Sequence, residues 1–160
     1  MTEKLEDAAD HVALTELVHR YAHHVHGHSD RDAELTASCF TEDAVFVFDG
    51  GEPLRVSDLG LGAMSSVDPA VMRRTNGLDR IDASSSATTN VSVELHGDTA
   101  TVESLAITTL VGQRDGAPAM RVRGIGLRDE AVRVDGEWKI ARRGHDLLWA
   151  FAPTPVGPGE

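Results

Sequence analysis

The sequence predicts an α+β domain, with helices first and an antiparallel sheet after them. Three observations carry this. Leu14, Leu17, Val18, Tyr21, Ala22 and Val25 recur at three- and four-residue spacing and form one apolar helical stripe. Beyond residue 84 the chain runs in long β-branched segments, divided by the turn sequences His96-Gly97-Asp98 and Asp135-Gly136. The length, 160 residues, suits one core and one domain with a short tail.

Taken in order, the first helix is predicted over residues 5–26, with Gly27 as its stop. A second helix fits Arg31 to Cys39, with Asp30 as candidate N-cap. Ala44 to Phe48 reads as a short apolar strand, and Asp49-Gly50-Gly51-Glu52-Pro53 as a turn. Val56 to Met64 is rich in Gly and Leu and has no clear period. Asp68-Pro69 opens a short helix through Met72, and Thr75-Asn76-Gly77 is a turn. Ser84 to Leu95 is a strand with Val91, Val93 and Leu95 on one face. Thr99 to Val111 follows, with Ala100, Val102, Ser104 and Ala106 opposite Glu103, Leu105 and Ile107. Gly112 to Pro118 reads as a loop. Met120 to Val134 and Glu137 to Arg143 then pair across Asp135-Gly136, completing a meander. Residues 1–152 form one expected domain. Pro153 to Glu160 holds three of the six prolines and is expected to be a mobile tail.

Composition excludes several roles. Lys and Arg number 15 and Asp and Glu 26, a formal net charge of −11. Such a surface repels phosphate backbones and anionic lipid, so no nucleic acid and no membrane is expected as partner. The single cysteine, Cys39, allows neither an intramolecular disulfide nor a multi-cysteine zinc site, and it reads as a small buried hydrophobe. Met1 to Asp10 carries Glu3, Glu6, Asp7 and Asp10, unlike a secretory signal, so a cytoplasmic location is expected. Gly124-Ile125-Gly126 lies inside a strand with no helix after it, which marks a bulge rather than a dinucleotide fingerprint. No G-x-S-x-G surrounds Ser84, Ser85 or Ser86, so nucleophilic serine chemistry is unsupported.

The unusual number is eight histidines, six of them (His11, His19, His23, His24, His26 and His28) within the first 28 residues. His24 and His28 stand at i, i+4 spacing, and two such histidines can share a metal. No third ligand is set by spacing, and a solvated helix face is the stronger reading, so no metal is assigned.

The run Leu17-Val18-His19-Arg20-Tyr21-Ala22, then Phe40-Thr41-Glu42-Asp43-Ala44, Asn90 to Leu95 with Gly97-Asp98-Thr99-Ala100, Arg128-Asp129-Glu130, and Asp135-Gly136-Glu137-Trp138-Lys139-Ile140 resembles the SnoaL-like group. This group belongs to the nuclear transport factor 2-like superfamily, with scytalone dehydratase and bile-acid dehydratase relatives. The resemblance spans about residues 8–150. It implies a cone-shaped curved sheet wrapped around the N-terminal helices, with a cavity between them. It also implies cofactor-free dehydration, isomerisation, cyclisation or epoxide hydrolysis of hydrophobic small molecules, and self-association as a homodimer or trimer through the outer sheet face. The group's sites commonly use a helix-1 Tyr, an Asp five residues later, and a His four residues before the Asn90 position. Here these positions hold Tyr21, His26 and Ser86. The usual Asp–His pair is absent at the matching positions, so the group's standard proton abstraction does not carry over unchanged.

On this reading Tyr21 stabilises a developing oxyanion by hydrogen bonding. His26, or failing that His24, moves the proton, because a neutral imidazole accepts one near pH 7. Asp30 orients a histidine or caps its helix. Ser86 and Thr88 are ligand hydrogen-bonding groups, and an inward Arg123 holds an anionic or enolate oxygen. His145 reaches the cavity mouth from the C-terminal segment, and Trp149 contacts substrate or covers the sheet as a lid or interface residue. The expected function is a cofactor-independent lyase, isomerase or cyclase, such as a polyketide cyclase of secondary metabolism. Its substrate would be a hydrophobic oxygenated polyketide, terpenoid or steroid-like compound. The alternative is a non-catalytic binding or accessory protein with the same pocket.

Overall fold

The computed structural model describes residues 2–27, 29–61 and 69–152. His28, residues 62–68 and the expected tail lie outside the described residues. Helix α1 spans Thr2–His24, α2 Asp30–Ala37 and α3 Pro69–Asn76. The strands are β1 (Phe40–Phe48), β2 (Leu54–Arg55), β3 (Arg80–His96), β4 (Thr99–Arg114), β5 (Ala117–Val134) and β6 (Glu137–Phe151). They form one sheet in the order β2-β1-β6-β5-β4-β3. The predicted meander is β3 to β6, each strand antiparallel to the next. The sheet is nevertheless mixed, because β1 pairs in parallel with β6. Consecutive strands joined by tight turns must be antiparallel, but β1 is separated from β6 by most of the chain and escapes that constraint.

Several boundaries move. The expected loop 112–118 shrinks to Asp115-Gly116, at φ 52° and 76°, a two-residue hairpin turn of the kind Asp135-Gly136 (52°, 83°) also makes. The last strand does not stop at Arg143 but continues to Phe151, which brings His145 into the sheet. The N-cap of α2 is Ser29, whose hydroxyl accepts from the Asp32 N–H at 3.1 Å; Asp30 is the first helical residue and is exposed. Ser and Asp cap equally well, so the side chain that sits one residue earlier takes the role.

The sheet wraps around α1. Strands β3 and β6 are separated by two others, yet both touch this helix. Bulges supply the bend: the ladder shifts register between Thr89 and Ser92, where Asn90 takes φ 54°, and again at Gly124/Ile125 and Glu130/Ala131. The predicted bulge at Gly124-Ile125 is therefore present. The α1 stripe Leu14, Leu17, Val18, Tyr21 and Val25 packs with Cys39, Phe40, Phe46, Val102, Trp138 and Ile140 into the main core. Each fully buried aliphatic side chain there contributes about 1.5–3 kcal/mol. The N-terminal half of α1 is tied down by Asp10, which accepts from Trp138 Nε1 at 3.0 Å and Arg133 Nη2 at 2.6 Å. No described helix is long and apolar enough to cross a membrane.

Candidate functional site

Between α1 and the concave face of the sheet lies a cavity with about 770 Å³ of empty space, much of it open to solvent at the mouth. Val25, Phe46, Phe48, Leu59, Ile125 and Leu127 make most of its wall apolar. Tyr21, His26, Asn76, Ser86, Thr88, Thr108, Arg123 and His145 bring polar groups to it.

Tyr21 reaches the cavity because it lies on the inner stripe of α1. Its ring meets Phe40 edge-on at 5.5 Å between centroids. Burial raises the phenol pKa above its usual 10, and the nearby Arg143 charge opposes that rise. His26 reaches the cavity because α1 ends at His24. A helix continued to residue 26 would turn this side chain off the apolar stripe. Instead the Gly27 N–H bonds back to the His24 carbonyl at 2.9 Å, a three-residue turn that redirects the chain. Gly27 is required here, since a Cβ would lie 2.2 Å from the Asp32 side chain.

Val91, Val93 and Leu95 of β3 pack on the core, and strict alternation from them would turn Ser86 and Thr88 outward; the bulge between Thr89 and Ser92 shifts the parity and brings both hydroxyls to the cavity. Ser86 opposes Thr108 of β4, with their hydroxyl oxygens 3.4 Å apart. Arg123 of β5 is 6% exposed. Burial, and then the charge of Arg121, push its pKa down to about 10, so it remains cationic at neutral pH. His145 of β6 sits against Phe48 and Phe46, at 5.0 and 6.0 Å between ring centroids. Its Nδ1 is buried with no hydrogen-bond partner among the described residues. Burial first, and the Arg123 charge second, push its pKa down to about 4. The imidazole is thus neutral at pH 7, with one ring N–H to donate and one nitrogen to accept.

The structure brings Tyr21, His26, Ser86, Thr88, Arg123 and His145 together and leaves three expected residues outside the cavity lining. His24 pairs through Nδ1 with Asp32 at 2.9 Å, and Ser29 donates to the same carboxylate at 2.5 Å. Hydrogen bonds from Ser29 and His24 hold the Asp32 pKa down to about 2. The pair closes the corner between α1 and α2. Asp30 is exposed on the first turn of α2. Trp149, 49% exposed, lies over Gly124, where a Cβ would meet its indole at 2.2 Å. Gly124 stands between the cavity-facing Arg123 and Ile125, so the indole covers the opposite face of the sheet. Among the described residues no group of three or more His, Cys, Asp or Glu is arranged for a metal; His28 lies outside them.

Asn76, Thr108 and a buried pair beneath Tyr21 lie beyond the sequence-based expectations. Thr108 continues the Ala100-to-Ala106 alternation and is legible by parity. Asn76 comes from the last turn of α3, which runs four residues further than predicted. The pair is Asp129 and Arg143, 1% and 0% exposed, with Nε–Oδ1 at 2.6 Å and Nη2–Oδ2 at 2.5 Å. No motif signals it.

Solved structures share this architecture. A candidate scytalone dehydratase from Novosphingobium aromaticivorans superposes with a TM-score of 0.68 at 17% identity, over all of both chains. A type 2 hexachlorocyclohexane dehydrochlorinase, LinA, gives 0.73 at 16% identity over 98% of this chain and 99% of its own. A candidate aromatic ring hydroxylase from N. aromaticivorans gives 0.66 at 27% identity, over 91% and 94%. No curated protein matches the chain. The family model for the SnoaL-like domain matches residues 6–144, which includes most of α1, the whole of β3 to β5 and all but one of the polar residues on the cavity, His145 lying one residue beyond. The chain belongs to the SnoaL-like family.

Proposed function

We propose that this protein is a cofactor-independent lyase, isomerase or cyclase working by acid–base chemistry on a hydrophobic oxygenated small molecule of polyketide, terpenoid or steroid-like class. The observation that carries the reading is the convergence of Tyr21, His26, Arg123 and His145 on one mostly apolar cavity. His26 takes a proton beside a substrate carbonyl. Tyr21 and the neutral His145 donate hydrogen bonds to the developing oxyanion, and Arg123 balances its charge. Ser86, Thr88 and Thr108 hold a second polar group of the substrate. Positioned acid–base groups each contribute roughly two to four orders of magnitude in rate. The test is turnover of oxygenated polycyclic and enolisable ketone substrates. Tyr21→Phe and His26→Ala are each expected to lose at least about a hundredfold in kcat. Full turnover by both variants refutes the mechanism.

One observation favours a second reading, a non-catalytic binding or accessory protein. Ser86 stands where the family resemblance implies a histidine, and its hydroxyl is turned to Thr108. A small molecule that co-purifies unchanged and is not converted on incubation supports this reading over catalysis. Under either reading the protein self-associates through the outer sheet face, where Leu105, Ile107, Trp149 and Phe151 (41, 51, 49 and 64% exposed) are uncovered. Light scattering that shows a monomer at high concentration counts against this.

A further inference from the structure

The Asp129–Arg143 pair does not line the cavity, yet it is among the most deeply buried features of the chain. Stability alone is a weak account of it. Removing two charges from water is expensive, and apolar replacements of buried ion pairs are often neutral or stabilising. Its location is more informative. The Arg143 Cζ lies 3.9 Å from the centroid of the Tyr21 ring, against 5.8 Å for Phe40 and 6.0 Å for Phe46. The guanidinium gives Nε and Nη2 to Asp129 and turns its remaining side to Tyr21. The ring face is therefore a principal neighbour of the cation.

We propose that Asp129–Arg143 is a positioning and charge-setting device for Tyr21: the guanidinium clamps the ring from below, and the balance of the two buried charges governs how readily the phenol releases its proton. Asp129 and Arg143 are positioning residues, since neither lines the cavity. The other ionisable groups facing the phenol are Cys39, just before β1, and Arg123 of β5. The catalytic value of the device rests on the function proposed above. Its existence does not, because Tyr21 is the only tyrosine in the chain and its ionisation is read directly from tyrosinate absorbance.

The experiment is a spectrophotometric titration of Tyr21 in the folded protein, using rapid pH jumps to separate ionisation from alkaline unfolding. Removing both charges with Asp129→Leu/Arg143→Met leaves Tyr21 buried without its cation, and the midpoint is expected to rise by about one pH unit or more. Asp129→Asn unbalances the cation, and the midpoint is expected to fall. If the pair only fills space, loosened packing hydrates the phenol, and the double variant then falls towards the ordinary value of about 10. A double-variant midpoint that is unchanged or lower overturns the proposal. If that variant does not fold, the Arg143 proton resonance carries the test. With the Asp129 hydrogen bond retained, Tyr21→Leu is expected to move the Arg143 Nε–H proton resonance downfield as the shielding of the ring is lost, and an unchanged resonance overturns the proposal. Loss of turnover in Tyr21→Phe bears on the function alone, so failure of one reading is distinguishable from failure of the other.

Discussion

His145 offers a quantitative test of the cavity's electrostatics without any substrate. Its imidazole titrates at about 4 in the native protein, against about 6.5 in an unfolded chain. Between these values the unfolded state holds more protons, so stability falls as pH drops through the window from 6.5 to 4. A tenfold difference in proton affinity between the two states is worth about 1.4 kcal/mol, so for one such group the loss between pH 7.5 and pH 4.5 is about 2.5 kcal/mol. The charged groups acting on the ring are Arg123, Arg143 and Asp49. The perturbation is His145→Gln, which removes the titration and keeps a polar side chain. The assay is urea unfolding at pH 7.5, 6.5, 5.5 and 4.5, followed by tryptophan fluorescence. Every other ionisable group titrates in both proteins, and the packing cost of the substitution does not depend on pH. Both therefore cancel in the change of the difference between variant and wild type. The variant is expected to gain about 2.5 kcal/mol on wild type between pH 7.5 and 4.5, most of it below pH 6. A difference constant to within about 0.5 kcal/mol would refute the claim that burial beside Arg123 holds this histidine neutral.

Two further predictions concern the frame. Asp10→Ala removes the acceptor shared by Trp138 and Arg133 and should cost about 1–3 kcal/mol in unfolding free energy, with a changed emission from the buried Trp138. Arg133, first, and Trp138 hold the Asp10 pKa below its usual value, so its contribution is present above the unfolded pKa and is lost as pH falls; a wild-type-like stability and spectrum would contradict this. Gly112→Ala places a Cβ 1.9 Å from the Arg80 carbonyl oxygen across the β3–β4 ladder. Backbone cannot swing aside, so a loss of at least about 2 kcal/mol is expected by denaturant unfolding. A loss below about 0.5 kcal/mol would show that the strands are not so closely apposed there.

Much of the frame is legible in the chain. The helical stripe from Leu14 to Val25 places Tyr21 inward, and two-residue alternation sets Thr108 on the face of Ala100, Val102, Ser104 and Ala106. The Asp-Gly turn at 135–136 sets the β5–β6 hairpin. These are local rules, because a side chain's direction follows from its own backbone period. His145 is harder. Local pattern puts it after the last strand, whereas β1 and β5 pair with β6 on either side as far as His145 and β5 alone carries it on to Phe151.

The buried pair shows where local rules stop. Counting back along the ladder from Val134 and Glu137 sets Asp129 opposite Arg142. The bulge between Glu130 and Ala131 advances β6 by one residue, so Arg143 faces Asp129 instead. A one-residue slip turns a side chain to the other face of the sheet. Whether the arginine lies under Tyr21 or in solvent thus depends on a bulge whose sequence, Glu130-Ala131, carries no signal. His26 follows the same logic, since the end of α1 at His24 decides whether it meets the cavity. Sequence by itself determined the α+β class, the order of the main elements and the alternation within each uninterrupted strand segment, because these follow from periodicity and turn chemistry. Tertiary structure alone decided which polar groups meet. That depends on register shifts and helix ends, which are set by packing between segments far apart in the chain.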